Sequence, residues 1–177
     1  MVLRGDRVRL RSLTSSDGGW ILATLLEPAV AEWWPGYTAQ MVQSEILEGE
    51  DGEWLAVESG GSEIGIVGWS EEPTPEYRSA GIDVSLGSGW RDRGLGTDTV
   101  RTLARWLIEE RGHHRITIDP AVTNARAIRC YERVGFRPVG IMRQYERLPS
   151  GEYRDGLLMD MLAGELSSGR DDPQAQP

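Results

Sequence analysis

The sequence predicts an α+β protein with a mixed, mostly antiparallel central sheet of about six or seven strands, flanked by about four helices. Segments with alternating apolar residues lie both before and after a pair of amphipathic helical segments, which indicates a mixed sheet rather than a regular alternation of strands and helices. A chain of 177 residues is long enough for one domain and short for two. We therefore expect one domain over residues 1–166 and a disordered tail over 167–177.

The first half of the chain contains three predicted strands and two predicted helices. Gly60–Gly61 lies between two strand-like runs, which is typical of a hairpin turn. Ser15–Ser16–Asp17 and Thr38 offer helix caps, and an apolar helical pattern follows each of them. In chain order, the predicted elements are a strand at 7–13, a helix around 20–25, a helix from Thr38 to Gly49, and strands at about 53–59 and 63–69.

The second half contains four predicted strands and two predicted helices. In the clearest helix, apolar residues recur at i, i+3, i+4, i+7 and i+8 from Val100 to Ile108. Gly112 and Gly135 are predicted to end the two helices, and Asn124 to cap the second one. In chain order, the predicted elements are a strand at 81–86, the helix through Val100–Ile108, a strand at 114–119, a helix at 124–134, and strands at about 136–146 and 153–163.

Charge is divided unevenly along the chain. All 19 basic residues are Arg, and the formal net charge is −9. Residues 27–83 contain thirteen acids against Arg78 alone, whereas residues 84–147 contain twelve Arg against seven acids. A nucleic-acid-binding protein of this size usually has a basic excess, so we expect no nucleic-acid partner. The division favours a cationic ligand at the acidic part and an anionic ligand at the basic part, although an ordinary solvated surface would give the same pattern.

Hydropathy and cysteine content exclude further classes of protein. No apolar run approaches the roughly 18 residues that span a bilayer, and no signal peptide opens the sequence. We therefore expect a cytoplasmic protein with no membrane partner. Cys130 is the single cysteine, so no internal disulfide forms, and with His113 and His114 it offers too few ligands for zinc. We expect no metal.

A loop rich in glycine and arginine precedes the clearest helix. Gly94 and Gly96 let the backbone turn tightly and bring bare amides close to a ligand. Free N–H groups and the positive end of the helix dipole favour a phosphate or pyrophosphate there. A Walker A loop is excluded because the chain contains no Lys, while a plain helix cap with close packing remains an alternative. The loop consists of Arg91, Asp92, Arg93, Gly94, Leu95, Gly96 and Thr97.

Two segments resemble the GCN5-related N-acetyltransferases, abbreviated GNAT. Arg91, Gly94 and Gly96 match the Arg/Gln-x-x-Gly-x-Gly/Ala loop with which this family binds acetyl-CoA, and residues 124–136 are similar to its Asn-to-Gly-Phe segment. The resemblance covers about residues 4–163. It implies the GNAT fold, acetyl-CoA as cofactor and transfer of an acetyl group to an amine.

Within the family, the sequence is similar to aminoglycoside 6'-N-acetyltransferases. This similarity lies in Glu32-Trp33-Trp34, in Gly81-Ile82-Asp83 and in Ile118-Asp119-Pro120 followed by Asn124. Between residues 70 and 80 the match is poor, which puts the acceptor in doubt more than the chemistry. The resemblance implies a polycationic small-molecule amine as acceptor.

The resemblance also implies contacts to acetyl-CoA beyond the loop at 91–97. The backbone of β-strand residues near the loop is expected to pair with the pantetheine arm as if with another strand, and the helix cap to hydrogen-bond its amides. Core packing alone would also explain the apolar members of this set, and capping alone would explain the Asn. The expected contacts are Val84, Ser85, Leu86, Asn124 and Ala127.

Two residues are expected to carry the proton transfers. Asp83 is the expected general base, because an ammonium group cannot attack until a carboxylate, directly or through one water, takes its proton. Tyr131 is the expected general acid for the CoA thiolate, since the corresponding helix of the family places a Tyr near the sulfur. Alternatives remain: Asp83 could simply face outward from an alternating strand, and Tyr131 could be half-buried packing beside Ile128.

Acids and flat aromatic faces are the groups expected to bind a polyamino sugar. Asp119 and Asp155 match acids that the resistance enzymes use, and Trp33 and Trp34 could stack on a sugar ring or ammonium with about 0.5–2 kcal/mol each. We expect one of the two Trp to be ordinary core. Glu72 is a weaker candidate in the divergent segment.

The sequence therefore predicts an acetyl-CoA-dependent N-acetyltransferase, with an aminoglycoside 6'-amine as first choice of acceptor. A protein N-terminus or a siderophore or metabolite amine remains an alternative acceptor. A non-catalytic acyl-CoA- or drug-binding module is the alternative of a different class. The chain is expected to be a monomer or homodimer.

Overall fold

The computed structural model of the protein describes residues 1–49 and 52–167. The tail predicted over 167–177 lies outside these residues except for Ser167, whose amide donates a hydrogen bond to the Val134 carbonyl at 2.9 Å.

One sheet of eight strands forms the centre of the described structure. Its strands are β1 (Val2–Arg4), β2 (Arg9–Ser12), β3 (Glu53–Ser59), β4 (Ser62–Glu72), β5 (Ser79–Leu86), β6 (Arg115–Ile118), β7 (Arg137–Arg147) and β8 (Tyr153–Leu162). They are ordered β1-β2-β3-β4-β5-β6-β8-β7, and every neighbouring pair is antiparallel except β5 and β6. The mixed, mostly antiparallel sheet is confirmed. The strand that sequence analysis missed is β1, because its three residues are too few to show alternation.

Five helices flank the sheet in the described part of the chain. They are α1 (Gly18–Leu25), α2 (Pro28–Ala31), α3 (Ala39–Met41), α4 (Leu95–Glu109) and α5 (Ala125–Glu132). A π-helical stretch, Val42–Leu47, extends α3, and the Thr38 hydroxyl caps α3 by accepting from the Met41 amide at 3.2 Å. Sequence analysis did not anticipate α2, a single turn that begins with Pro28. Among the described residues, no helix is long and apolar enough to cross a membrane.

Two apolar clusters pack on opposite faces of the sheet. Ile66 and Val67 are consecutive residues of β4 and therefore point to opposite faces. Ile66 joins the cluster formed with α1, α2 and the π-helical stretch, whereas Val67 joins the larger cluster that includes Leu103 and Leu107 of α4. Both helical layers are thus fixed to the same central strands, and β5 and β6 lie between them.

The two parallel strands separate soon after they meet. Within the described sheet, β5 and β6 pair only at Ala80 with Ile116 and at Gly81 with Thr117. β5 continues to Leu86 and remains paired with β4 on its other side. The edge of β5 that would face β6 is therefore not paired with β6 from Ile82 onward, and only at its far end does the Leu86 carbonyl accept from the Arg91 guanidinium. This edge has the spacing of a strand that another extended chain can join.

Candidate active site

A cavity of about 970 Å³ opens where β5 and β6 separate. It is lined from β5, the loop before α4, the end of β6, α5, and the hairpin of β7 and β8. Most of the residues that the sequence predicted for the site meet here. Those that line the cavity are Trp33, Trp34, Asp83, Val84, Ser85, Leu86, Arg91, Asp92, Gly94, Gly96, Thr97, Asp119, Asn124, Ala127 and Tyr131.

Two residues expected to contact the cofactor are not among the residues that line the cavity. Leu95 is only 2% exposed and belongs to the larger apolar cluster. The Arg93 guanidinium lies over the Trp90 ring, 5.4 Å from its centroid. The Leu95 side chain therefore packs in the core, whereas Arg93 is exposed and stacks on Trp90, and for both residues a contact to the cofactor stays a prediction.

Two residues expected to bind the acceptor also lie outside the cavity lining. Glu72 is exposed at the end of β4, and its carboxylate accepts a hydrogen bond from the Thr74 amide at 2.9 Å. Hydrogen bonding to Thr74 lowers the pKa of Glu72. Asp155 accepts from the Gln144 amide at 2.7 Å, so its carboxylate supports the backbone of β7.

The backbone of the glycine-rich loop is arranged as an anion site. Gly94 adopts the left-handed conformation with φ of 75°, which favours glycine. The first helical hydrogen bond of α4 runs from the Asp98 amide to the Gly94 carbonyl at 3.1 Å. The amides of Leu95, Gly96 and Thr97 therefore lie ahead of the intrahelical ladder, where they are free to bind an anion.

A buried carboxylate holds this loop in place. Asp98 accepts hydrogen bonds from the amides of Asp6 at 3.2 Å, Arg7 at 2.7 Å and Val8 at 3.0 Å. The Arg7 guanidinium in turn donates to the carbonyl of Arg93. The turn between β1 and β2 thus fixes the start of α4. Sequence analysis missed Asp98 because the contact joins segments about ninety residues apart.

Arg91 joins three segments at the end of the cavity beside the glycine-rich loop. We call this the donor end, because it is where the acetyl donor is expected to bind, and we call the end near Asp83 and Asp119 the acceptor end. Its guanidinium donates to the Ala29 carbonyl at 2.8 Å and to the Leu86 carbonyl at 3.2 Å. Burial and the charge of Arg126 lower the pKa of Arg91. Arg91 therefore ties α2 and the end of β5 to the loop and at the same time adds positive charge to the cavity wall.

One face of α5 supplies further positive charge. Arg126, Arg129 and Arg133 line the cavity at helical spacing. The Cys130 thiol lies 3.3 Å from the Thr97 hydroxyl, so α5 packs directly on the glycine-rich loop. Sequence analysis singled out none of these three Arg, although their spacing of three and four residues in an anion-binding segment was a usable signal.

The donor end of the cavity fits acetyl-CoA. A side chain at Gly96 would come within 3.3 Å of the Cys130 sulfur, so glycine keeps the loop close to α5. Open amides, nearby guanidinium groups and a free strand edge suit a ligand with a pyrophosphate and an extended arm that contains amides. Asn124 keeps its cap, accepting from the Ala127 amide at 3.2 Å, and also lines the cavity.

Asp83 lies on β5 beyond the point where the parallel strands separate. Its side chain is open to solvent within the cavity, yet the surrounding protein removes most of its hydration. This desolvation, together with the negative charge of Asp119, raises the pKa of Asp83 to about 6. Asp83 is therefore mostly ionised at neutral pH and is basic enough to accept a proton.

Tyr131 lies on α5 at the boundary between the cavity and the core. The residue is 8% exposed, and its ring packs edge-to-face on Phe136 with centroids 6.2 Å apart. Burial and the negative charge of Asp83 and Asp119 hold the pKa of Tyr131 well above its usual value. The hydroxyl therefore keeps its proton at neutral pH.

A second carboxylate and a second tyrosine lie beside Asp83. The Tyr145 hydroxyl of β7 donates a hydrogen bond to the carboxylate of Asp119, just after β6. Burial raises the pKa of Asp119, and this hydrogen bond opposes the rise. The hydrogen bond also raises the pKa of Tyr145 to about 12. Tyr145 was not predicted from the sequence, because its orientation depends on a distortion of β7 that has no local sequence pattern.

The two adjacent Trp differ in their surroundings. Trp34 packs on the smaller apolar cluster and lies edge-to-face with Trp54, with centroids 5.8 Å apart. Trp33 instead has the Arg154 guanidinium 5.9 Å from its ring centroid. Arg154 also donates to the carbonyls of Glu32 at 2.9 Å and Trp33 at 2.7 Å. The hairpin of β7 and β8 thus holds the segment after α2 and completes one wall of the cavity.

Comparison with known proteins agrees with the fold. The sequence model of the acetyltransferase (GNAT) domain matches residues 7–137. The chain belongs to the GNAT acetyltransferases, enzymes that use acetyl-CoA.

Several relatives share a narrower activity. An aminoglycoside N(6')-acetyltransferase type 1 of Klebsiella pneumoniae is 34% identical over 155 residues, which cover 76% of each chain. The solved structure of AAC(6')-Ib in complex with paromomycin and acetyl-CoA matches with a TM-score of 0.76 at 28% identity, covering 94% of this chain and 99% of that one. A GNAT-family acetyltransferase of Bacillus anthracis has a TM-score of 0.80 at 15% identity, over 92% and 98% of the two chains, and shows the fold alone.

Proposed function

We propose that this chain transfers the acetyl group of acetyl-CoA to the 6'-amine of an aminoglycoside. The observation that carries the proposal is the composition of one cavity, in which an amide-rich, cationic donor end meets an acceptor end with two carboxylates and two Trp. The similarity to aminoglycoside 6'-N-acetyltransferases over three quarters of the chain supports this choice of acceptor.

The donor end is proposed to hold the cofactor through its backbone and its guanidinium groups. The amides of Gly96 and Thr97 would bind the pyrophosphate at the positive end of α4. The open edge of β5 from Val84 to Leu86 would pair with the pantetheine arm. Acetyl-CoA would supply the acetyl group as a thioester, and the backbone of Val84 to Leu86 would hold its extended arm in the cavity that Asp83 also lines.

The acceptor end is proposed to bind and deprotonate an ammonium group. Asp119 and Asp83 attract the cation, while Trp33 offers a flat face that remains outside the apolar clusters. Asp83 takes the proton from the ammonium group, directly or through one water, because its raised pKa suits a base near neutral pH. Tyr131 holds the proton that the leaving thiolate needs.

A thiol-release assay with two matched aminoglycosides tests the proposal. Neomycin carries an amine at its 6' position, where paromomycin carries a hydroxyl group and is otherwise the same. We expect CoA release from acetyl-CoA with neomycin, and release at least a hundredfold slower with paromomycin. The reason is that a hydroxyl group is a poorer nucleophile than the amine that forms when Asp83 takes the proton from the ammonium group.

Three results would redirect the proposal. Equal release with both drugs would place the acetylated amine elsewhere on the aminoglycoside. If neither drug causes CoA release and the protein still binds acetyl-CoA, the acceptor would be a peptide or metabolite amine. If no amine tested causes CoA release, a non-catalytic binding module would be favoured.

A further inference from the structure

Strand β7 is distorted where it passes the acceptor end of the cavity. Its pairing with β8 shifts register between Met142 and Glu146. Within this bulge, Gln144 adopts a left-handed conformation with φ of 51°, which is unfavourable for a residue with a side chain. The carboxylate of Asp155 accepts from the Gln144 amide at 2.7 Å and so stabilises the distorted backbone. Bulges of this kind redirect the side chains that follow them.

The side chain redirected by this bulge is Tyr145. Its ring passes over Gly156 of β8, where a side chain would meet the ring at 2.8 Å and the Met142 methyl group at 3.1 Å. Glycine at 156 therefore leaves the space that the Tyr145 ring occupies. The hydroxyl reaches the Asp119 carboxylate and donates to it, and both residues line the cavity.

Asp119 lies among negative charges from several elements. The negative charge of Glu146 in β7 raises the pKa of Asp119. The negative charge of Asp119 in turn raises the pKa of Asp83 in β5. The positive charge of Arg154 is paired with Glu146, at 2.5 Å. A donor that carries no charge, such as the Tyr145 hydroxyl, can hold Asp119 in one orientation without cancelling the charge that an ammonium group needs.

We propose that Tyr145 is a positioning residue for the acceptor, which acts by fixing the Asp119 carboxylate opposite Asp83 so that the two acids hold one ammonium group between them. The inference rests on the proposed function for the identity of the acceptor. The bulge at Gln144, its support from Asp155 and the space left by Gly156 are three separate features that serve this orientation.

A double-mutant cycle between Tyr145 and Asp119 tests the inference kinetically. In Tyr145→Phe, we expect the KM for neomycin to rise about tenfold, as for loss of one hydrogen bond to a charged group, and the KM for acetyl-CoA to stay unchanged. In an Asp119→Ala background, where the Tyr145 hydroxyl has no acceptor at residue 119, the same substitution should change the KM for neomycin less than twofold. Tyr153→Phe, at an exposed Tyr of the same hairpin, is the matched control and should behave as wild type.

The kinetic result that overturns the inference is a tenfold rise in KM in both backgrounds, or no rise in either, because Tyr145 would then not act through Asp119. A rise in the KM for acetyl-CoA would likewise overturn it, by showing a general distortion of the cavity.

A titration without any acceptor separates this inference from the proposed function. In carbon-13 NMR of the Asp carboxyl groups, Tyr145→Phe should raise the apparent pKa of Asp119, because the lost donor favoured the charged carboxylate. Tyr153→Phe should leave it unchanged. An unchanged Asp119 titration in Tyr145→Phe overturns the inference, even if neomycin is a substrate. If neomycin is not a substrate and the titration shifts, the proposed acceptor fails and the link between Tyr145 and Asp119 stands.

Discussion

At the scale of single residues, Asp83 combines access to the cavity with incomplete hydration. A carboxylate in bulk water has a pKa near 4 and is a weak base at neutral pH. Where β5 and β6 begin to separate, desolvation and the charge of Asp119 raise the pKa of Asp83 to about 6. The residue therefore remains ionised at pH 7 while its basicity approaches that of histidine.

Replacing Asp83 by Asn should remove the base while it keeps a side chain of similar size in the cavity. We expect Asp83→Asn to lower kcat about 10²–10⁴-fold, the usual contribution of a positioned general base. In the wild type, the rate with saturating acetyl-CoA should fall as the pH drops below about 6, since protonated Asp83 cannot accept a proton. A dithiodipyridine thiol assay measures both, because this reagent still reacts at acidic pH. An acidic limb that persists unchanged in Asp83→Asn would assign the base elsewhere.

Tyr131 provides a separate test of the proton donor. Tyr131→Phe keeps the ring that packs on Phe136 and removes only the hydroxyl. We expect kcat to fall about 10²-fold or more, with less than a twofold change in the KM for acetyl-CoA. Steady-state kinetics beside Tyr153→Phe, an exposed control, measure the difference. An unchanged kcat would exclude Tyr131 as the acid.

At the scale of elements, the glycine-rich loop and the separated strands define the donor end. Gly94 has positive φ where the loop enters α4, and Asp98 anchors that same turn to the segment between β1 and β2. Asp98 therefore holds the loop on one side, while Gly94, Gly96 and Thr97 of the loop line the cavity on the other. Its affinity for a phosphate depends on backbone geometry more than on any single charged side chain.

Alanine at two glycines separates backbone strain from ligand binding. Gly94 has φ of 75° and Gly60, in the β3–β4 turn, has φ of 60°; at neither residue would an added β-carbon come closer than 3.6 Å to another atom. Each Gly→Ala substitution should lower the free energy of unfolding by roughly 1–2 kcal/mol. Gly94→Ala should also raise the KM for acetyl-CoA at least tenfold, whereas Gly60→Ala should not. Urea unfolding and steady-state kinetics measure the two effects, and equal KM values would show that the loop backbone does not bind the cofactor.

At the scale of the whole molecule, the elements follow from the sequence better than the site does. The hairpin at Gly60–Gly61 and the amphipathic α4 lie where their patterns predicted them, because each pattern is local. β1 and α2 escaped prediction because elements of three and four residues carry too little periodicity.

The site is less predictable because it depends on contacts between distant segments. The placement of Asp83 follows from one strand, and the family resemblance identified it. Tyr145 depends on a bulge in β7, on Asp155 and on Gly156, so its orientation exists only once two strands have paired. The same bulge explains why Asp155 accepts from a backbone amide, and the binding of the acceptor by Asp155 stays a prediction.

A buried ion pair links the N-terminal strands to α1. Asp17 accepts from the Arg11 guanidinium at 2.8 and 2.9 Å and from the Trp20 indole at 2.8 Å. The hydrogen bonds from Arg11 hold the pKa of Asp17 well below its usual value. The stabilisation is therefore complete above the unfolded pKa of about 3.9 and is lost as the pH falls through the lower, folded value.

Removing this carboxylate should destabilise the protein in a pH-dependent manner. We expect Asp17→Asn to lower the free energy of unfolding by about 2 kcal/mol at pH 7, because it removes the carboxylate to which Arg11 donates two hydrogen bonds, while the ion pair of Arg11 with Glu58 remains. At pH 2 the difference from wild type should be smaller. Arg137→Ala, which breaks an exposed pair with Glu165, should cost less than about 1 kcal/mol. Urea unfolding at both pH values measures these differences, and an equal loss in the two variants would contradict the assignment.

The position of the acetyl group in the product tests the central claim most directly. Neomycin would be incubated with acetyl-CoA and the protein, and the product analysed by mass spectrometry and two-dimensional NMR. The account predicts a single added acetyl group on the 6' nitrogen, with its formation reduced at least a hundredfold by Asp83→Asn. An acetyl group on another nitrogen, or formation at the wild-type rate without Asp83, would contradict it.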